Sequence, residues 1–343
     1  MSSQSGFDPS ANDEEPRAML DKSVDSFPTI NRAYASVFQP GALTLGLVVP
    51  LEAHGQNPVP NMQRHIERAQ LADSLGFAAL WLRDVPFNVP SFGDAGQVSD
   101  PFVYLGLLSG VTNDIALGVA SIVLPLRHPA HVAKAAASAD LLSGGRLLLG
   151  VASGDRPEEY PTLNMGFEDR GARFRDAFAY IRAMAESYPN HSGVHGSLQG
   201  SMDMLPKPVA GRLPLLITGG SQQDPNWIAE HGDGWMTYPR SVAAQASAVQ
   251  QYHERSQAAG SVRKPVMQSL YVDLVADADA EPHPIHLGFR SGVTHLRNYL
   301  DALQTAGINH VALNLRFNEA PVEDTMKRLA EELLPDFPTR KAV

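Results

Sequence analysis

The chain has 343 residues, of which 43% are hydrophobic and 19% charged, a composition typical of a globular protein that buries a sizeable core. The formal net charge is −10 and no block of Lys or Arg is longer than a pair, so we expect a small-molecule substrate and no nucleic-acid partner. The absence of cysteine excludes disulfides, thiolate metal ligands and a cysteine nucleophile.

Two further features bear on location. The sequence has no run of about 18 apolar residues, and its start lacks the basic and then apolar pattern of a secretion signal. We therefore expect no membrane insertion, no secretion and a cytoplasmic protein.

The first 40 residues are polar at the start and have no sustained period, so residues 1–40 are predicted to be a flexible N-terminal segment and an arm. Apolar residues near the end of the arm, such as Tyr34 and Phe38, could anchor it. Residues 41–343 are predicted to form a single domain.

Eight short apolar runs predict strands within this domain. They lie at 43–49, 77–82, 115–123, 146–152, 213–218, 233–237, 266–275 and 310–315. The segments between them have helical spacing, clearest at 61–75, 129–142 and 168–188. Strands that are apolar on both faces and alternate with helices indicate a parallel sheet, and eight such units predict a (β/α)8 TIM barrel.

One connection departs from the regular alternation. Residues 189–212 are an insertion rich in Gly, Pro and Ser. The insertion begins after the fourth helix and ends before strand five. A long connection of this kind is typical of a lid. Because barrels carry their sites at the carboxyl ends of the strands, function is sought there.

The sequence after strand five, GGSQQDPNW from Gly219, is suited to an anion. A glycine-rich turn that enters a helix leaves backbone N–H groups unpaired, and the helix dipole adds to their attraction for a phosphate. Asp224 and Pro225 are typical helix-start residues. An ordinary capped helix with nothing bound is the alternative interpretation.

Charged residues also follow strands two, three and four. Arg83 and Arg156 are the first candidates for anion or substrate clamps, because each lies in a loop with a neighbouring aspartate and a proline. Asp155 and His128 are further catalytic candidates. Structural ion pairs at the barrel rim, or a supporting role for His128, would explain the same residues.

Several other chemistries lack their motifs. The histidine pairs are three residues apart and do not form an HExxH zinc motif, so we predict no metal site. No GxSxG nucleophile elbow and no GxGxxG nicotinamide fingerprint occur.

Three groups of residues resemble one family. IALGVASIVLPLRHPAHVAKAAASADLLSGGRLLLGVASGD at 115–155 is similar to the strand-helix-strand core of the bacterial luciferase-like flavin monooxygenases. The sequence from Gly219 to WIAEHGDGW resembles the phosphate segment of that family. LWLRDVPF, DPFVYLG and GDRPEEYP look like its luciferase-type oxidoreductase subgroup. The resemblance covers roughly residues 40–337.

The resemblance implies a barrel that holds FMN across the carboxyl ends of its strands. Ala120 and Ser121 match a pair joined by a non-proline cis peptide under the flavin ring, and Ala152 and Ser153 match residues beside it. The matching phosphate loop consists of Gly219, Gly220, Ser221, Gln222 and Gln223.

Two departures from the family matter. Ala152 and Ser153 stand where relatives place a cysteine or an arginine, so backbone amides, Ser221 or an arginine from elsewhere, such as Arg240, would have to balance the phosphate. Asp84 and Val85 stand where bacterial luciferase has a histidine, so the acid–base role of that histidine does not carry over.

The implied activity is that of an FMN-dependent oxidoreductase, a two-component monooxygenase that uses reduced FMN and O2 on a small organic substrate. Because no nicotinamide fingerprint occurs, a separate NAD(P)H:flavin reductase is the expected partner, and a homodimer is expected from the family. A deazaflavin (F420)-dependent hydride-transfer enzyme, a flavin-binding protein without turnover and a metal-dependent barrel hydrolase stay open as alternatives.

Overall fold

The computed structural model describes residues 26–55 and 57–340. Eight parallel strands close into a barrel in the order β12-β1-β2-β3-β4-β7-β8-β9, with β9 paired to both β8 and β12. The strands of the chain are β1 (Thr44–Val48), β2 (Ala79–Leu82), β3 (Ala116–Val123), β4 (Leu147–Ala152), β5 (Asn190–Gly193), β6 (Gly196–Gln199), β7 (Leu215–Thr218), β8 (Gly234–Thr237), β9 (Val266–Leu274), β10 (His283–Ile285), β11 (Gly288–Ser291) and β12 (His310–Asn314). All eight predicted barrel strands are confirmed.

Helices cover the outside of the barrel. They are α1 (Arg32–Val37), α2 (His65–Leu75), α3 (Pro101–Val111), α4 (Pro129–Leu142), α5 (Glu159–Thr162), α6 (Arg170–Ala183), α7 (Pro225–His231), α8 (Val242–Ala258), α9 (Val293–Thr305) and α10 (Val322–Leu333). Helix α4 has the bounds that its proline and its following Ser-Gly-Gly predict. No helix in residues 26–55 and 57–340 is both long enough and apolar enough to cross a membrane.

A hydrogen-bonded chain of three polar side chains lies in the interior of the barrel. The indole N–H of Trp81 donates to Nε2 of His310 at 2.8 Å, and Nδ1 of His310 lies 2.7 Å from the Thr44 hydroxyl. Because an indole is only a donor, Nε2 is the acceptor and the imidazole is neutral, with its proton on Nδ1. Gly118 makes room for Trp81, since a Cβ at Gly118 would lie 2.3 Å from the indole. Burial lowers the pKa of His310 to about 3.

The arm closes the amino-terminal end of the barrel. The Tyr34 hydroxyl donates to the carbonyl of Asp233 at 2.6 Å, and the Asn31 side chain donates to the carbonyl of Leu147 at 2.8 Å. Tyr34 and Phe38 are buried against the base of the barrel interior. The predicted anchors of the arm are therefore docked, whereas residues 1–25 lie outside the described part of the chain.

The prediction of a lid at 189–212 is wrong. This insertion forms the antiparallel hairpin β5–β6, which packs on α6: Asp176 accepts the Val194 N–H at 3.3 Å, and the rings of Tyr180 and His191 are 5.0 Å apart. A connection from a helix to the next strand starts at the end of the barrel opposite the active-site loops. Among the described residues, none from this insertion lines the mouth cavity.

A second hairpin follows β9. Strands β10 and β11 pair with each other, and β11 extends the sheet beside β9 at its carboxyl end. This hairpin was not predicted, because its strands of three and four residues carry no sustained apolar alternation.

Candidate active site

A cavity of about 350 Å³ opens at the carboxyl ends of the strands. It lies among the residues that follow β2, β3, β4, β7 and β8. Its lining consists of Arg83, Asp84, Val85, Ala120, Ser121, Val123, Ala152, Ser153, Gly154, Asp155, Arg156, Glu159, Thr218, Gly219, Gly220, Ser221, Gln222 and Tyr238.

Strands β3 and β4 form one wall of this cavity. The peptide bond between Ala120 and Ser121 is cis, as the family resemblance implies, and the pairing of β3 with β4 shifts register between Val119 and Ile122. The Ser121 hydroxyl hydrogen-bonds to the hydroxyl of Thr218, which ties this irregularity to the end of β7. The wall is therefore held by contacts across three neighbouring strands.

The loop after β7 presents free backbone donors. Gly219, Ser221 and Gln222 have φ values of 55°, 41° and 56°, in the left-handed region. The Ser221 hydroxyl donates to the Thr218 carbonyl at 2.7 Å and holds the turn closed. The backbone N–H groups of residues 220–222 have no acceptor within the described part of the chain. Consecutive free N–H groups beside a cavity are suited to an anion.

The helix that follows does not contribute a free end. Asp224 accepts the Asn226 N–H at 2.8 Å, so its own carboxylate caps α7. The prediction of Asp224 and Pro225 as helix-start residues is confirmed. The expected attraction of the helix end for a phosphate is corrected. The Asp224 carboxylate already occupies that end, and only the loop amides stay free.

A network of arginines surrounds Asp94 beside the cavity. The Arg83 guanidinium donates to the Asp94 carboxylate, and Nη1 of Arg316 lies 3.1 Å from the same oxygen. Burial opposes the charge on Asp94, yet Arg83, the Gly96 N–H and Arg316 outweigh burial and lower its pKa. Burial likewise opposes the charge on Arg83, but Asp94 raises its pKa overall. Arg83 therefore stays charged at the edge of the cavity.

Asp84, the neighbour of Arg83, fixes the loop after β3. Its buried carboxylate accepts two hydrogen bonds from Arg127, at 2.9 and 2.7 Å, and one from the Val123 N–H at 3.1 Å. Arg127 also donates to Asp100 at 2.8 Å, and the pKa of Arg127 is raised by these carboxylates although burial opposes its charge.

Arg156 and Glu159 form a second charged pair in the lining. Nη2 of Arg156 donates to the Asp94 carbonyl at 3.2 Å, and its guanidinium lies 4.8 Å from the centre of the Phe92 ring. Burial lowers the pKa of Arg156, and the charge of Arg83 adds to this effect. Burial raises the pKa of Glu159 to about 6, in spite of Arg156.

The structure brings most of the predicted site residues to one cavity. The residues that line it are Arg83, Ala120, Ser121, Ala152, Ser153, Asp155, Arg156, Gly219, Gly220, Ser221 and Gln222. Three predicted residues, His128, Gln223 and Arg240, do not line it.

These three residues support neighbouring elements. Nδ1 of His128 accepts the Ala130 N–H at 3.2 Å and so caps α4. Gln223 donates to the Gly171 carbonyl at 2.8 Å and ties the loop to α6. Arg240 is exposed and donates to the Gln245 side chain at 3.0 Å.

Sequence reasoning missed Glu159, Asp94 and Arg316. Glu159 lies three residues after Arg156, a spacing that pairs side chains on a helical turn, and this was the available indication. Asp94 and Arg316 come from loops that are distant in sequence and give no such indication.

Fold and site together define a TIM-barrel protein with a polar ligand cavity at the carboxyl ends of its strands. The sequence profile of the luciferase-like monooxygenases matches residues 43–332. The chain belongs to this family. A similar protein of Mycobacterium tuberculosis (strain H37Rv), the uncharacterized protein Rv0953c, is 32% identical over 193 residues, which are 51% of this chain and 67% of the relative.

Solved structures share the fold at low identity. Monooxygenase RslO1 from Streptomyces bottropensis has a TM-score of 0.71 and 19% identity, over 86% of this chain and 99% of that chain. An F420-dependent secondary alcohol dehydrogenase, solved with an F420–acetone adduct, has a TM-score of 0.69 and 18% identity, over 84% and 98%. The oxygenating constituent of 3,6-diketocamphane monooxygenase from Pseudomonas putida, solved with FMN, has a TM-score of 0.68 and 14% identity, over 87% and 100%.

Proposed function

We propose that the chain is an FMN-dependent oxidoreductase, a two-component monooxygenase that takes reduced FMN from a separate NAD(P)H:flavin reductase and uses O2 on a small organic substrate. The observation that carries this proposal is the set of free N–H groups at residues 220–222, at the edge of a cavity that the cis peptide at Ala120–Ser121 also lines. A phosphate on one side and a flat ring on the other would satisfy both features.

The residues present fit such a cofactor. A Cβ at Gly220 would have no neighbour within 4 Å, so the backbone is open to a close ligand there. The amides of residues 220–222 would hold the phosphate, and Ala120, Ser121 and Ala152 would lie beside the ring. Bound reduced FMN would supply the reactivity toward O2.

The chain's own side chains then orient the reactants. Arg83 is held by Asp94 and stays charged, so it is placed to hold an anionic or polar group of the substrate. Asp155 is exposed at the cavity mouth, where its carboxylate can accept a hydrogen bond from a substrate that enters the cavity. His128 lies away from the lining and acts through α4 rather than on the substrate.

We also propose that the protein forms a homodimer through α3. Val103 is 74% exposed and Leu107, one turn away, is 42% exposed. Gly106 and Gly110 have open space around their Cβ positions, so another helix could approach closely. An exposed apolar helix face with small residues is suited to a symmetric contact.

F420 is the alternative cofactor, favoured by the fold shared with the F420-dependent alcohol dehydrogenase. Titration of the purified protein with FMN and with F420, followed by tryptophan and flavin fluorescence, separates the two. The proposal predicts micromolar or tighter binding of FMN and weaker binding of F420. Tight binding of F420 alone would favour hydride transfer, and binding of neither would refute both.

Turnover is tested separately. FMN reduced by an added flavin reductase is mixed with the protein, O2 and candidate substrates, and oxygenated products are measured by mass spectrometry with ¹⁸O2. The proposal predicts incorporation of one labelled oxygen atom into a substrate. FMN binding without any substrate-dependent product in a broad panel would favour a flavin-binding protein without turnover.

A further inference from the structure

Two buried charged atoms at the cavity lack hydrogen-bond partners. Nη1 of Arg156 and Oε1 of Glu159 have no partner among the described residues, and they lie 3.9 Å apart. Arg156 is 6% exposed and Glu159 is 2% exposed, and both residues line the cavity. Leaving buried donors and acceptors without hydrogen-bond partners costs free energy, even within an ion pair, so such atoms point to a missing group.

Arg156 and Glu159 together define which hydrogen-bonding groups the missing ligand must have. A separation of 3.9 Å is too long for a hydrogen bond, so one donor and one acceptor both stay available to a ligand. An anion would satisfy Arg156 but would be repelled by ionised Glu159. A neutral group that offers an acceptor and a donor side by side satisfies both.

The two ends of a flavin ring differ in this respect. The dimethylbenzene end has no hydrogen-bonding group, whereas the pyrimidine end has an N3–H between two carbonyl oxygens. Arg156 lies in the segment after β4 and donates to the loop after β2, while the proposed phosphate loop follows β7. Although β4 is the neighbour of β7, the Arg156 guanidinium reaches the loop after β2, and β3 and β4 lie between β2 and β7 in the barrel.

We propose that Arg156 and Glu159 bind the pyrimidine edge of the flavin, with Arg156 donating to a ring carbonyl and Glu159 accepting the N3–H. This assignment rests on the proposed function. It fixes which end of the ring points toward the β2 loop and makes the pair positioning residues for the cofactor. A hydroxyl of the substrate has the same hydrogen-bonding chemistry, so the test must separate the two sources.

The electrostatic surroundings are consistent with this arrangement. Burial raises the pKa of Glu159 to about 6, the charges of Asp84 and Asp155 add to this, and Arg156 and the Phe87 N–H oppose it. Glu159 is therefore mainly ionised at neutral pH, and its carboxylate can accept a hydrogen bond from the flavin N3–H.

The test compares FMN with 3-methyl-FMN, in which a methyl group replaces the N3 hydrogen. Dissociation constants are measured by fluorescence on the full chain at pH 7.5, which requires no variant. The expected result is binding of FMN on the order of tenfold to a hundredfold tighter than 3-methyl-FMN, because a hydrogen bond to a charged acceptor is lost. The variant Glu159→Gln should lower this preference severalfold, and Glu159→Ala should lower it further.

The neighbouring Glu158 provides a matched control, because it is exposed and one position away. Glu158→Gln should keep the preference of the wild type. Equal binding of FMN and 3-methyl-FMN by the wild type would overturn the assignment, because a pair that holds a substrate hydroxyl would not discriminate between the two flavins. The proposed function would still stand in that case, provided that FMN binds tightly. Binding of neither flavin would overturn both.

Discussion

Gly220 allows the proposed phosphate site to be tested with little effect on the fold. A Cβ at this position would meet no atom within 4 Å, and the backbone is outside the left-handed region that disfavours side chains. Gly220→Asp therefore places a carboxylate beside the free amides, and we expect the free energy of unfolding to change by less than about 0.5 kcal/mol.

The expected loss of affinity follows from Coulomb's law. A carboxylate about 5 Å from a phosphate dianion, at an effective dielectric constant of about 40 to 80, is repelled by about 2–3 kcal/mol. This corresponds to FMN binding that is about 30-fold to 150-fold weaker. The dissociation constant is measured by quenching of flavin fluorescence at low ionic strength.

Riboflavin is the control ligand, because it has the same ring without the phosphate. Its affinity should be the same in the wild type and in Gly220→Asp, and Gly220→Ala should weaken FMN far less than the aspartate does. If Gly220→Asp binds FMN as tightly as the wild type, or loses FMN and riboflavin equally, the phosphate does not lie at this loop.

Three further changes test the fold and the assembly. His310 stays neutral in the folded protein, whereas in the unfolded chain it is protonated below a pH of about 6.5. The stability that neutral His310 provides is therefore lost as pH falls. In urea titrations, the difference in free energy of unfolding between the wild type and His310→Gln should shrink by about 2 kcal/mol from pH 7.5 to 5.0. Asp84→Asn should lower the free energy of unfolding by about 3 kcal/mol, because it breaks a buried pair. Val103→Glu should convert the proposed dimer to a monomer in sedimentation analysis.

Each of these changes has a control. The exposed His283, changed to Gln, is the control for His310, and an equal pH slope for both histidine variants would contradict the buried neutral state of His310. Asp100→Asn removes the more exposed partner of Arg127 and should cost less than about 1 kcal/mol. Val262→Glu, also at an exposed site, should leave the dimer intact, and a dimer that survives Val103→Glu would exclude α3 as the interface.

The barrel could be predicted because its determinants are local. Strands buried on both faces are continuous apolar runs, and a proline at the start of α4 followed by Ser143-Gly144 after its end gives that helix clear bounds. The lid at 189–212 was wrong because composition alone does not say what a connection packs against, and this hairpin packs on α6.

The candidate site could be predicted only in part. Residues that follow strands in sequence, such as Arg83 and Asp155, were found because every barrel strand delivers its end to the same rim, whereas Ser121 was found through the family resemblance. The partners that hold them were not, because the contacts of Asp94 with Arg83 and Arg316 depend on how the loop after β2 folds back and meets the residues after β12.

The proposed FMN site can be seen directly in a crystal structure of the protein with FMN. We predict the phosphate within hydrogen-bond distance of the amides of residues 220–222, and the flavin ring against Ala120 and Ser121. A phosphate bound elsewhere, or a ring that does not contact the Ala120–Ser121 peptide, would contradict the account.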